Sequence, residues 1–343
     1  MSRHSNISIF VPHAGCPFKC SFCDQNTISG ENELPRAEDV RRICEQAKSE
    51  ISDPANTEIA FFGGSFTAIE RGYMTELLDA AEPYIGEGGF KGIRISTRPD
   101  CIDKEILELL KSYGVTAIEL GAQSLNDEVL AANRRGHTVE DVYKASTLIR
   151  QHGFELGLQL MVGLYRSDED AERRNIGKVL GIAPDTVRIY PVVILENTLL
   201  GALYRTGKYK TMTMETVIGL CSEMLLEFEP AGVRVIKCGL HASEFVERDM
   251  IGGFYHPAFR ELCESEIFQK AIDAALKDAG VVTNANKKTT VLCAVSPKSI
   301  SKAAGHKKSN IEYFKRLGIE LKFVPDENAD IFSCKVLEVK QCT

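Results

Sequence analysis

Between residues 7 and 193 the chain alternates short apolar runs with amphipathic helical stretches, and few folds accept that rhythm. The runs are "ISIFVP" (7–12), "EIAFFGG" (58–64), "IRIST" (93–97), "AIELGAQ" (117–123), "LGLQLMVGL" (156–164) and "TVRIYPVV" (186–193). Several are near-continuous apolar segments, as expected for parallel strands covered on both faces. In "DKEILELLKSYG", Ile106, Leu109, Leu110 and Tyr113 share one helical face, and Gly114 follows where a left-handed cap is wanted. "TVEDVYKASTLIRQHG" opens with Thr138 and Asp141 in capping-box spacing and ends at Gly153. A third helix, around 213–228, places Val217, Leu220, Met224 and Leu225 on one side.

Strand–helix alternation of this kind gives a parallel sheet, either doubly wound or curled into a barrel. The polar and glycine residues at strand ends favour the barrel. Gly63–Gly64–Ser65, Ser96–Thr97–Arg98 and Gln123–Ser124 follow three different strands. Barrels gather chemistry from several strand ends, whereas an open sheet concentrates it at one switch point. The expected class is α/β: a partial (β/α)6 TIM-type barrel over residues 1–245, open along one side. Residues 246–343 are expected to form a small α/β extension, possessing a helix within 253–280, strands at 289–295 and 319–325, and a helix at 310–318.

No apolar run approaches the ~20 residues of a membrane span. The N-terminal "MSRHSNISIFVPH" is too short in apolar residues for a signal peptide. A cytoplasmic protein with no membrane partner is expected. Eleven cysteines, an odd count with irregular spacing, do not describe a disulfide framework. The net charge of −7 is uneven. From Val281 to Thr343, eleven Lys/Arg face six Asp/Glu, so this end is +5 and residues 1–280 are −12. Such a basic end either faces a polyanion or is simply solvated.

Three cysteines stand apart from the rest. "GCPFKCSFCDQ" (15–25) places Cys16, Cys20 and Cys23 on one short loop after the first strand. A closed zinc site needs a fourth ligand, and only His13 lies near, which makes a cramped set. A four-cysteine electron-transfer cluster would have to recruit one of the isolated cysteines. A [4Fe–4S] cluster with one iron left open explains the missing ligand, because an open metal position can bind a small molecule.

The C-x3-C-x2-C spacing, with Phe18 and Phe22 beside the cysteines, resembles the radical S-adenosylmethionine (radical SAM) enzymes. That resemblance implies a [4Fe–4S] cluster on Cys16, Cys20 and Cys23, with the open iron chelating SAM. It implies SAM contacts from Phe18, Phe22, Gly63, Gly64 and Ser65, the last standing where the family usually has an acidic residue. "ISTRPD" and "ELGAQSLND" resemble further segments of the family, which adds Ser96, Arg98 and Gln123. The fifth and sixth strands add Gln159 and Tyr190. An electron donor such as flavodoxin or ferredoxin is expected as a partner.

Two stretches narrow the branch. "VRIYPVVILENTLLGALYRTGKY" (187–209) and "HPAFRELCESEIF" (256–268) are similar to the catalytic subunit of the elongator complex and its short bacterial relatives. Porphyrinogen-oxidase-type members share the "ISTRPD" and "GAQSLND" style but differ in the sixth-strand stretch. The elongator subunit modifies wobble uridines of tRNA and carries an acetyltransferase domain after its radical domain. Too little chain follows the barrel here for that half, so acetyl transfer is not expected. tRNA or another RNA is the expected substrate, with Lys287, Lys288, Lys302, Lys307, Lys308, Lys315 and Arg316 as candidate phosphate contacts near Tyr313 and Phe314. A small-molecule or peptide substrate, and a zinc-stabilised binding module without catalysis, are the alternatives. No general acid or base is identified. Glu119, Glu196, Tyr165 and His241 are polar candidates near strand ends, each equally explained by capping or solvent.

Overall fold

The computed structural model describes residues 5–12, 16, 19–24, 33–240, 244–283 and 288–341. Its strands, in chain order, are β1 (Ser5–Val11), β2 (Thr57–Gly63), β3 (Gly92–Thr97), β4 (Val115–Gln123), β5 (Glu155–Val162), β6 (Thr186–Pro191), β7 (Val193–Leu195), β8 (Arg234–Cys238), β9 (Met250–Gly253), β10 (Thr289–Val295), β11 (Ile319–Pro325) and β12 (Cys334–Gln341). Seven of them form one all-parallel sheet in the order β1-β2-β3-β4-β5-β6-β8. The sheet is a partial TIM-type barrel, and all six sequence-derived strands lie in it. The helices between them begin as their sequences require. Asp103 caps Lys104–Ser112 through Ile106 N at 2.8 Å, and Thr138 and Asp141 close a reciprocal capping box on Val139–Gln151.

β8 adds a seventh strand that the pattern did not announce. It is five residues long, with Arg234 exposed and Lys237 half-buried, so it lacks the continuous apolar run that marked the others. As an edge strand it pairs on one side only. Arg234 N donates to Asp185 O, so the carbonyl of Val235 faces away from the sheet; Arg260 Nη1 donates to it at 2.5 Å. Arg260 is itself held by Glu264 (2.9 Å) and Glu229 (3.1 Å).

The C-terminal part holds the helix Phe259–Asp278, then a sheet in the order β11-β10-β12 with the helix Ser309–Arg316 against it. β12 is a further strand beyond expectation, antiparallel to β10 with a bulge at Leu292/Cys293. One contiguous apolar core runs from Ile7 through Phe228, Phe259 and Phe268 to Phe314 and Phe332. Where Met214–Phe228, β8 and Phe259–Asp278 meet, the buried thiols of Cys221, Cys238 and Cys263 hydrogen-bond one another. Among the described residues no helix is long and apolar enough to cross a membrane.

Inside the barrel the sheet carries charge. Arg94 is fully buried and bonds Glu58 (2.7 Å), Glu119 (3.2 Å) and Glu155 (2.7 Å). Arg188 grips the same Glu119 through Nε at 2.7 Å and Nη2 at 3.0 Å. Gly157 makes room for this cluster, since a Cβ there would lie 2.8 Å from Glu119 Cγ. Glu119 is thus neither a cap nor solvent-exposed, as its sequence position had allowed, but the hub of a buried ion-pair network.

Burial pushes the Glu119 carboxyl up, but the guanidinium groups of Arg188 and Arg94 outweigh it and hold the pKa below the ordinary value. Glu155, with Arg94, behaves alike. Both carboxyls bind protons more weakly folded than unfolded, so their contribution is present above the ordinary pKa of 4.5 and fades as pH falls below it. Denaturant melts at stepped pH should show stability falling below about pH 4.5. Arg94→Met should cost about 3–5 kcal/mol at neutral pH by stranding buried carboxylates, and it should flatten that acid dependence. An unchanged midpoint would refute the network's role.

Candidate functional site

A cavity of about 580 Å³ opens where the cysteine loop meets the ends of β2 to β5. From the loop, Cys16, Cys20, Phe22 and Cys23 line it. Gly63, Gly64 and Ser65 contribute from the end of β2, Ser96 and Arg98 from β3, Gln123 from β4 and Gln159 from β5. Residues more than 140 positions apart therefore face one space. Phe18 and Lys287, together with His13 and His241, lie outside the described residues. Tyr190 does not line the cavity; its phenol bonds Arg188, and burial pushes its pKa up.

The loop is seated by a residue between two of its cysteines. Ser21 is fully buried; its Oγ donates to Asn133 Oδ1 (2.7 Å), its N–H to Asn133 O (3.1 Å), and its carbonyl accepts from Leu200 N (2.7 Å). A turn closed by Cys23 N donating to Cys20 O (3.3 Å) follows. Opposite the loop, Gly63 has φ +112°, and a Cβ there would lie 2.8 Å from Val11 O. Gly64 N donates to that same carbonyl at 2.8 Å. Glycine at 63 is thus demanded by the approach of β2's end to β1.

The floor rests on the interior ion pairs. Gln159 Nε2 donates to Ser96 Oγ and to Glu119 Oε2, both at 2.9 Å. Gln123 holds a left-handed φ of 65°, and its buried Oε1 has no partner among the described residues. Arg98 is buried, forks onto Asp100 at 2.9 and 2.8 Å, and donates to the carbonyl of Arg135 at 2.5 Å.

Arg135 and Asn197 also line the cavity and were not singled out in the sequence. Arg135 sits in "NRRGH", a turn that looks like an ordinary helix exit, and nothing local signals that it reaches Cys20. Burial, then repulsion from Cys20 and Cys16, pushes the Cys23 thiol up to about 12 despite Arg135. Among the described residues no three His, Cys, Asp or Glu are arranged to hold a single metal ion. The donor set is all sulfur and opens onto a roomy cavity, which fits an iron–sulfur cluster.

The described basic residues of the extension lie apart from the cavity lining. Lys307, Lys308, Lys315 and Arg316 are exposed, Lys288 pairs with Glu320 at 3.2 Å, and Lys302 is half-buried against Glu264 at 2.9 Å. Phe314 is buried and Tyr313 exposed, as neighbours on a helix should divide. Glu196 pairs with Arg205, and Tyr165 packs edge-on against Tyr209.

Residues 10–174 match the Radical SAM superfamily and residues 184–269 the Radical_SAM C-terminal domain. The chain is 38% identical over 257 residues to a tRNA uridine(34) acetyltransferase of Methanocaldococcus jannaschii, covering 63% of this chain and 47% of that protein. It is 27% identical over 269 residues to Elongator complex protein 3 of Homo sapiens, covering 71% and 46%. The chain thus spans about half the length of these relatives. The structure of the archaeal Methanocaldococcus infernus Elp3 with an N-terminal deletion superposes with a TM-score of 0.55 at 22% identity, over 72% of this chain and 62% of that one, a likeness of fold.

Gly63→Ala should destabilise the protein by about 1–3 kcal/mol, because alanine would be strained at this φ and would press on Val11 O. A denaturant melt checks this; a shift within error would show that β2 can end differently.

Proposed function

The chain belongs to the radical SAM superfamily, and on that footing we propose that it is an enzyme that reductively cleaves SAM and acts on tRNA or another RNA. The observation that carries this reading is the convergence of Cys16, Cys20 and Cys23 with Gly63, Gly64 and the polar ends of β3 to β5 on one cavity. Cys16, Cys20 and Cys23 would hold a [4Fe–4S] cluster. When bound, that cluster would supply the single electron needed for reductive cleavage of SAM, the source of the radical chemistry toward substrate.

The chain's own residues then have definable tasks. Ser21 fixes the loop so that the thiols point into the cavity. Gly63 and Gly64 leave backbone, without side chains, facing the space where the methionine end of SAM would lie. Gln123 offers an unsatisfied carbonyl oxygen for a donor on the cofactor, while Ser96 and Gln159 present a polar floor kept in register by Glu119. Phe22 would shield the loop from water. RNA as substrate is supported by the name of the tRNA uridine(34) acetyltransferase relative and by the exposed Lys307, Lys308, Lys315 and Arg316. An external one-electron donor completes the scheme.

Protein purified without oxygen, reconstituted with iron and sulfide and then reduced, should release 5′-deoxyadenosine from SAM. Cys16→Ala should abolish that release. Zinc in place of iron, with no cleavage, would refute the reading. tRNA binding followed against salt should weaken steeply, and replacing Lys307, Lys308, Lys315 and Arg316 by Ala should flatten the slope by about one unit per lost phosphate contact. Salt-independent or absent tRNA binding, with SAM cleavage intact, would instead favour a small-molecule substrate.

A further inference from the structure

We propose that Arg135 is a positioning residue for the cysteine loop that raises the reduction potential of its cluster by donating a hydrogen bond to a ligand sulfur. The inference rests on the reading of Cys16, Cys20 and Cys23 as cluster ligands.

The turn after the helix Asp127–Ala132 delivers this side chain. Arg134 takes a left-handed φ of 55°, and Arg135 N donates back to Leu130 O at 3.0 Å, which reverses the chain and turns residue 135 toward the barrel. The residue is only 6% exposed. Its Nη1 donates to Cys20 Sγ at 3.0 Å and its Nη2 to Gly121 O at 2.5 Å. Gly121 leaves it space, since a Cβ there would lie 3.3 Å from Nη2. The third donor, Nε, is buried with no partner among the described residues, on a residue that lines the cavity. Arg98, anchored on Asp100, grips the Arg135 carbonyl from below. Arg98 therefore holds the backbone of Arg135 and Gly121 O holds its guanidinium, which places Nη1 on sulfur.

Reduction adds one electron, drawn from a low-potential one-electron reductant, to a unit already rich in negative charge. A fixed positive charge and an N–H donor at a ligand sulfur stabilise the reduced state more than the oxidised one, which moves the potential upward. The buried setting strengthens the effect, because little solvent screens it. A purely architectural Arg135, tying the turn to β4 through Gly121, would leave the potential untouched.

The test uses the full chain, reconstituted anaerobically, as wild type, Arg135→Gln and Arg135→Lys. Iron and sulfide content, circular dichroism and a redox titration followed by electron paramagnetic resonance are measured without SAM. Arg135→Gln should keep the cluster and shift its potential to more negative values. Arg135→Lys, which keeps the charge but loses the fork, should shift less in the same direction. A folded Arg135→Gln protein with wild-type cluster content and wild-type potential would overturn the proposal. Should Arg135→Gln hold no cluster, Arg135→Lys decides: a potential equal to wild type overturns it, and a negative shift upholds it. Loss of the cluster from both folded variants also overturns it, since Arg135 would then serve cluster retention. Wild-type protein that takes up no iron and sulfide would sink the cluster reading itself, a distinct result.

Discussion

Glu119 is the point on which the interior of this barrel turns. Two guanidinium groups, from β3 and β6, and one amide, from β5, converge on its carboxylate. A buried ion pair of this sort adds little net stability over an apolar substitute, because desolvation consumes most of the attraction. Its value here is geometric. β3, β4, β5 and β6 are tied to one another through side chains as well as through their backbone ladders. Ser96 and Gln159, which face the cavity, inherit their positions from it. The shape of the site is thus set from beneath.

From above, the site is set by the seat of the cysteine loop. Ser21 binds residues of two separate elements, Asn133 after one helix and Leu200 at the start of another. Asn133 also caps its own helix through Val129 O and reaches Tyr165 O, so one amide fastens the loop, the helix exit and the end of the β5 connection. The thiols arrive in the cavity because Ser21, which lies between two of them, is fastened on the far side.

The strands, their helices and the cysteine loop were legible because their signals are local: an apolar run, a cap, a spacing. Gly63, Gly64, Ser65, Ser96, Arg98, Gln123 and Gln159 could be found because strand ends in such a sheet share a rim. Arg135 could not, as its meeting with Cys20 joins positions 115 apart through a turn of ordinary composition. The interior charges were hidden for a related reason. Arg94, Glu119 and Arg188 interrupt apolar strands, and whether such a residue faces a partner or solvent depends on strand register, which the sequence does not print. β8 and β12 escaped because Lys237 in the one, and Lys335, Glu338 and Lys340 in the other, break up their apolar runs without a regular alternation. The trio Cys221, Cys238 and Cys263 comes from two helices and a strand, so no spacing rule could gather it.

An open parallel sheet carries a hazard that a closed barrel does not. The unpaired face of its last strand offers a row of carbonyl and amide groups to any extended segment that drifts by, including the same strand of a second molecule. Arg260 occupies one such acceptor, Val235 O, and is anchored there by Glu264 and Glu229. A visiting strand would have to displace a guanidinium held by two carboxylates before it could zip onto β8. The barrel is therefore left unclosed at an edge where one acceptor is already taken, which works against in-register pairing with a second molecule.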